Sequence, residues 1–182
     1  MTKLFLLSMF LWYNFIYWRS KVITYTKYNE KYKAELNKLQ QSIWGANSDS
    51  DEIFEHIDDY NIELALDGEK LVGASINCSL NKDILFIEMI VVAKEYQHQG
   101  VGTRLLTDVL TFASVKGCKL IKTKAVEVNG HINALSMLEK NGFCKGEKIE
   151  KYWGRFYPHF RCLECGKCPC VCNMVEYFKF LY

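Results

Sequence analysis

Tyr32, Leu36, Leu39 and Ile43 recur every three or four positions along an otherwise charged stretch that opens at Tyr25. That spacing lines one face of an α-helix, so an amphipathic helix is predicted here, stopped by Gly45. Asn47, Ser48 and Asp49 supply capping side chains for a second, short helix through Ile53, Phe54 and Ile57. The pattern then changes to strands. Residues 61–66 and 70–78 flank Asp67 and Gly68, a hairpin signal because glycine accepts the positive φ of a tight turn. Residues 84–92 are nearly continuous apolar sequence, as a central strand covered on both faces requires, with Glu88 the one acid inside it. After turn residues 97–102, a helix runs through Leu105, Leu106, Val109, Leu110, Phe112 and Ala113 to Gly117. Residues 119–127 read as a strand, 133–140 as a helix closed by Asn141 and Gly142, and Phe143 onward, with Ile149, Tyr152 and Trp153, as extended chain. The predicted order is α-α-β-β-β-α-β-α-β, a mixed α/β layer architecture without internal repeats.

Composition narrows the classes. A chain of 182 residues, 49% hydrophobic and 24% charged, holds one packed domain with short appendages. The net charge of +2 leaves no field over the whole molecule to hold a nucleic-acid duplex, so nucleic acid is not an expected partner. Residues 1–22 form a hydrophobic N-terminal extension, since positions 4–18 are apolar or aromatic apart from Ser8 and Asn14 and are flanked by Lys3, Arg19 and Lys21. Those fifteen residues fall short of the roughly 20 that span hydrocarbon, and no small-residue cleavage site follows. An interfacial anchor, a signal sequence and an extra helix all stay open, and with them membrane association. Five of the eight cysteines crowd into positions 162–172, while Cys78, Cys118 and Cys144 lie apart. Such clustering points to metal ligands in a reducing compartment, here the cytoplasm, rather than to a disulfide framework.

The loop Gln97, His98, Gln99, Gly100, Val101 and Gly102 follows a strand ending in Val91 and Val92 and precedes a helix beginning near Thr103. Glycines let main-chain N–H groups turn toward one point, and a helix N-terminus adds about half a positive charge, so a pyrophosphate can bind there without a dedicated lysine. No Gly-Lys-Ser/Thr follows and no third glycine is correctly spaced, which separates the loop from Walker and Rossmann patterns. Gln97, Gly100 and Gly102 resemble motif A of the GNAT superfamily of acyl-CoA-dependent N-acetyltransferases, Gln/Arg-x-x-Gly-x-Gly/Ala. Residues 87–92 look like that family's fourth strand, and Arg104, Leu105 and Leu106 like its helix. Asn133 with Ala134, and residues 139–143, resemble its Asn/Ala helix and closing Gly-Phe. The likeness covers residues 25–157.

The resemblance implies a GNAT-type mixed, splayed central sheet flanked by helices, with a small Cys-rich C-terminal appendage. The expected divisions are the extension at 1–22, the acetyltransferase domain at 23–158 and the cysteine tail at 159–182. Acetyl-CoA is the implied cosubstrate and a small-molecule or protein amine the acceptor; a homodimer stays open. Carried over, the backbone of Met89, Ile90, Val91 and Val92 faces the pantetheine and the thioester, Gln97 through Thr103 take the pyrophosphate, and Asn133 lies near the pantetheine arm.

Acetyl transfer needs a neutral amine, yet one with a pKa of about 10.4 is less than about 0.1% neutral at pH 7. Something must take the proton. A carboxylate desolvated in an apolar strand suits that role, directly or through water, which makes Glu88 the candidate base. A main-chain N–H near Val91 or Val92 can stabilise the oxyanion. Leu138 stands where the family usually carries a tyrosine general acid; Tyr152, Tyr157 or water are the alternatives.

Thiolates as close as those of the tail repel one another unless a cation neutralises them. Cys162, Cys165, Cys170 and Cys172 make the expected zinc set, with Cys168 spare. Just before them, Lys148, Lys151, Trp153, Arg155, Tyr157 and Arg161 interleave bases and rings, read as strand residues alternating between core and solvent. A silent acyl-CoA sensor and a zinc-knuckle nucleic-acid binder are the rival functional readings.

Overall fold

The computed structural model describes residues 22–45, 51–159 and 161–182. Seven strands form one sheet: β1 Ile23–Lys27, β2 Tyr60–Asp67, β3 Lys70–Asn81, β4 Ile84–Val92, β5 Leu120–Glu127, β6 Cys144–Ile149 and β7 Asn173–Phe180. The helices are α1 Lys33–Trp44, α2 Asp51–Glu55, α3 Val101–Val115, α4 Leu135–Lys140 and α5 Tyr152–Phe156. The strand order is β1-β2-β3-β4-β5-β7-β6. Only β4 and β5 pair in parallel; the other neighbours are antiparallel.

Each face of the sheet carries its own core. Leu106, Val109 and Ala113 of α3 and Leu138 of α4 pack on Leu85, Ile87, Ile121 and Val175. On the opposite face Leu36 and Leu39 of α1 pack on Leu64, Ala74, Ile76 and Val91. Within β4 the odd residues Leu85 and Ile87 thus face α3, whereas the odd residue Val91 faces α1, and Ile90 and Val92 join Leu105 and Val101 of α3. The alternation changes phase because β3 pairs Ile76 with Met89 but Asn77 with Ile87, leaving Glu88 as the extra residue of a β-bulge.

A close approach locks α3 onto this half of the sheet. A Cβ on Gly73 would lie 3.1 Å from the Val91 carbonyl oxygen and 3.3 Å from side-chain carbons of Val101 and Leu105. Gly73→Val is therefore expected to destabilise the fold by about 1–3 kcal/mol through overpacking, read as a lowered urea midpoint with an unchanged slope.

The fold departs from the sequence expectation in three places. β1 is a strand, built from the β-branched and aromatic run Ile-Thr-Tyr-Thr and paired from Ile23↔Asp67 to Lys27↔Glu63. β7 lies beyond residue 158 and inserts between β5 and β6, so the cysteine-rich segment is a connection between sheet strands. Tyr152 and Trp153, expected in extended chain, form a helical turn in which Tyr152 meets Phe156 at a tilt and Trp153 stacks on Tyr157, with centroids 4.7 and 6.1 Å apart. These are i,i+4 pairs, a helical signal that the alternation of bases and rings obscured. Apart from Val22, the hydrophobic N-terminal extension lies outside the described residues, as do the predicted caps at 47–49. No helix among the described residues is long and apolar enough to cross a membrane.

Candidate active site

β4 and β5 share four rungs, from Ile84↔Leu120 to Ile87↔Thr123, and then part. The Thr123 hydroxyl donates to the Ile87 carbonyl oxygen at 3.0 Å on the last rung. Beyond it β4 stays with β3 and β5 stays with β7. From Met89 to Val92, no described strand covers the side of β4 that faced β5. An open strand edge inside a sheet can take up an extended ligand by strand addition.

The loop after β4 completes this cleft. Gln97 Nε2 donates to the Val92 carbonyl at 3.0 Å and Gln99 Nε2 to the Glu95 carbonyl at 2.7 Å, so both glutamine side chains brace their own loop. His98 at φ 58° and Gly100 at φ 84° occupy the left-handed region. Gly100 caps α3 without a side-chain bond, and the first helical bond runs from the Arg104 N–H to the Gly100 carbonyl at 2.9 Å. The amides of Val101, Gly102 and Thr103 precede that bond, where a helix leaves its N–H groups open to an anion. Val101 anchors the turn by burying its side chain beside Tyr96 and Leu105. A Cβ on Gly102 would touch Met137 of α4 and Val92 at 3.6 Å, so the loop, the end of β4 and α4 converge. Asn133 stands exposed in the turn just before α4.

One sequence expectation about chemistry changes here. Glu88 lies in a central strand yet is exposed, because the bulge turns its side chain out; the expected desolvation of its carboxyl is absent. Its Oε1 lies 3.9 Å from the Cys78 thiol, which burial first and the Glu88 charge second push up to about 11. Leu138, at the position of the usual tyrosine acid, is a core residue beside Phe143 and Tyr177 and offers no proton.

Lys124 was missed by sequence reasoning. It is the first residue of β5 past the last rung, as Glu88 is the first of β4, so the two flank the point where the strands part. Its Nζ sits 5.6 Å from the Phe86 ring centroid, 5.4 Å from that of Tyr152 and 3.5 Å from the Tyr152 hydroxyl. Nothing in the linear sequence separates Lys124 from Lys122; only the register does.

A second constellation lies beyond α5. The Sγ atoms of Cys162, Cys165, Cys170 and Cys172 all fall within 4.8 Å of one another, with 3.7 Å between Cys162 and Cys172 and 3.8 Å between Cys165 and Cys170. Four thiolates around a tetrahedral zinc at about 2.3 Å stand about 3.8 Å apart, so this donor set fits the ion. Cys168 is outside the group, exposed, with its thiol 3.7 Å from the Pro158 carbonyl. Burial raises the thiols of Cys170, to about 11, and Cys172. Burial opposes ionisation of Cys165 as well, but backbone N–H donors of Val171 and Lys167 and neighbouring thiols outweigh it and bring Cys165 down to about 7.

The forked parallel pair thus leaves an open strand edge that runs to the free amides of a glycine-opened helix N-terminus. A sequence profile of the Acetyltransferase (GNAT) family matches residues 21–143. The chain belongs to that family. It is 29% identical over 97 residues to the N-alpha-acetyltransferase 30 of Schizosaccharomyces pombe, a match covering 50% of this chain and 61% of that protein, and thus less than two thirds of its relative's length. The fold is similar to that of a Bacillus subtilis acetyltransferase in complex with CoA, with a TM-score of 0.71 and 22% identity over 88% of this chain and all of the other. It also resembles a GNAT family acetyltransferase from Elizabethkingia anophelis with acetyl-CoA bound, with a TM-score of 0.71 and 20% identity over 90% of this chain and 100% of that one.

Proposed function

We propose that the protein transfers the acetyl group of acetyl-CoA to the α-amine of a peptide or protein N-terminus. The observation that carries this reading is the fork itself, an open β4 edge running from Glu88 toward the amides at the head of α3. The pantetheine arm extends along Met89, Ile90, Val91 and Val92, with Asn133 beside it, and the pyrophosphate rests on the amides of the loop from Gln97 to Thr103. The amine nitrogen attacks the thioester carbonyl carbon, and its proton passes to Glu88, through water because that carboxylate is exposed. A main-chain N–H near Val91 or Val92 holds the developing oxyanion until the C–S bond breaks and coenzyme A leaves as a thiolate that takes up a proton. The N-terminal acceptor is supported by the name of the Schizosaccharomyces pombe relative, and the crowding of five cysteines into positions 162–172 as metal ligands supports a reducing compartment, the cytoplasm.

The test is a calorimetric titration with acetyl-CoA followed by thiol release across a library of peptides with free N-termini. Binding with turnover of at least one peptide is the expected result. The buried Leu138 favours one second reading, a silent acyl-CoA sensor, for which acetyl-CoA would bind and no peptide would react.

Cys162, Cys165, Cys170 and Cys172 hold a structural zinc ion in this reading. One zinc per chain is expected on metal analysis of the purified protein. The double change Cys165→Ser with Cys170→Ser is expected to abolish it, whereas Cys168→Ser retains it.

A further inference from the structure

The cysteine group is packed against the machinery of the fork. Cys162, Cys170 and Cys172 bury against Val126 and Val128 at the end of β5 and against Trp153 of α5. Gly154 lies so close to the Cys170 backbone that a Cβ would overlap the Cys170 carbonyl oxygen, which makes α5 and the cysteine segment one packed unit. On its other flank the same segment reaches α1: a Cβ on Gly45 would lie 3.3 Å from the Arg161 carbonyl oxygen and 3.5 Å from Leu163. The segment therefore bridges the end of α1 and α5 across the face of the sheet onto which Lys124 projects. One residue before Trp153, Tyr152 meets Lys124 at the mouth of the fork.

We propose that the cysteine module, loaded with a single zinc ion, is a working wall of the acceptor site, clamping α5 so that the Tyr152 hydroxyl sits beside Lys124 at the fork. The inference rests on the acetyl-transfer reading for what the site does, but the clamp itself is a separate physical claim. Eleven residues with five thiols bury too little to order themselves. Metal coordination supplies the order, and Gly154 transmits it because α5 has only five residues and no capping side-chain bond of its own. Among the described residues, Met89 to Val92 and the head of α3, which make the coenzyme half of the site, take no part in these contacts. Zinc occupancy thus governs the acceptor half and leaves the coenzyme half unchanged.

The full chain is compared with zinc bound and after its removal by a chelator. Amide hydrogen exchange across Tyr152–Phe156 is expected to quicken by about tenfold or more on zinc removal, while the acetyl-CoA dissociation constant stays within about twofold. The kcat/KM for the best peptide of the library falls by about tenfold or more. Tyr152→Phe separates the hydroxyl from the clamp: it keeps one zinc and slow exchange in α5 yet loses at least about fivefold in kcat/KM. Gly154→Ala tests the clamp without touching a thiol, and it retains zinc with fast exchange in α5. The proposal is overturned if the chain takes up no zinc. It is also overturned if zinc removal, or Gly154→Ala, leaves α5 exchange and peptide kinetics as they were. A zinc-loaded chain that binds acetyl-CoA and acetylates no peptide defeats the acetyl-transfer reading instead, and the exchange measurement still decides the clamp.

Discussion

Valine at position 100 is expected to weaken acetyl-CoA binding by about tenfold to a hundredfold while leaving the protein folded. Gly100 holds φ at 84° at the head of α3. A β-branched residue resists that conformation by about 1–3 kcal/mol, which corresponds to the stated loss if it is felt in the bound state. The variant can relieve the strain by letting residue 100 return to negative φ, but the amides of Val101, Gly102 and Thr103 then point away from a common centre. Either route falls on the anion. No atom lies within 4 Å of where the Gly100 Cβ would stand, so no core packing is lost and the cost to stability is limited to that backbone strain. Calorimetric titration measures the loss, and alanine at the same position should lose less. An unchanged dissociation constant for Gly100→Val would mean that the pyrophosphate is held elsewhere.

Glu88→Gln is expected to lower kcat by about a hundredfold with little change in acetyl-CoA affinity. The amide keeps the size and polarity of the side chain and removes its capacity to take a proton. Because Glu88 is exposed on its bulge, the proton travels through water, and the side chain contributes little to holding the coenzyme. The deficit should shrink as pH rises through about 7.7–8.0, the pKa of an α-amine, since the acceptor then supplies its neutral form unaided. A pH–rate profile of wild type and variant checks both statements. Equal rates near neutral pH would reduce Glu88 to a surface carboxylate next to Cys78.

β4 was legible to the residue because its apolar run is long and bounded by turn signals, and the β2–β3 hairpin because Asp67 and Gly68 punctuate it. The phase change inside β4 is hidden by the same property: the residues on both sides of Glu88 are apolar, so the pattern marks neither face and does not show that the alternation shifts there. Glu88 was consequently read as buried. β1 was passed over because it is an edge strand whose short run merges into the charged segment before α1. β7 was masked by the cysteine cluster, which drew residues 159–182 into one tail although Met174, Val175 and Tyr177 are core residues of the sheet.

From its letters alone the chain declares the loop that opens α3, the acid inside β4 and the four thiols that can share an ion. Each depends on residue type at short range: glycine's tolerance of positive φ, a charge in an apolar run, and the crowding of soft donors. Register and packing, which are long-range and invisible in any local window, decided where β4 and β5 part, that Lys124 and Glu88 are the first residues past that point, and that the cysteine segment leans on α5 and α1 between two strands of the sheet.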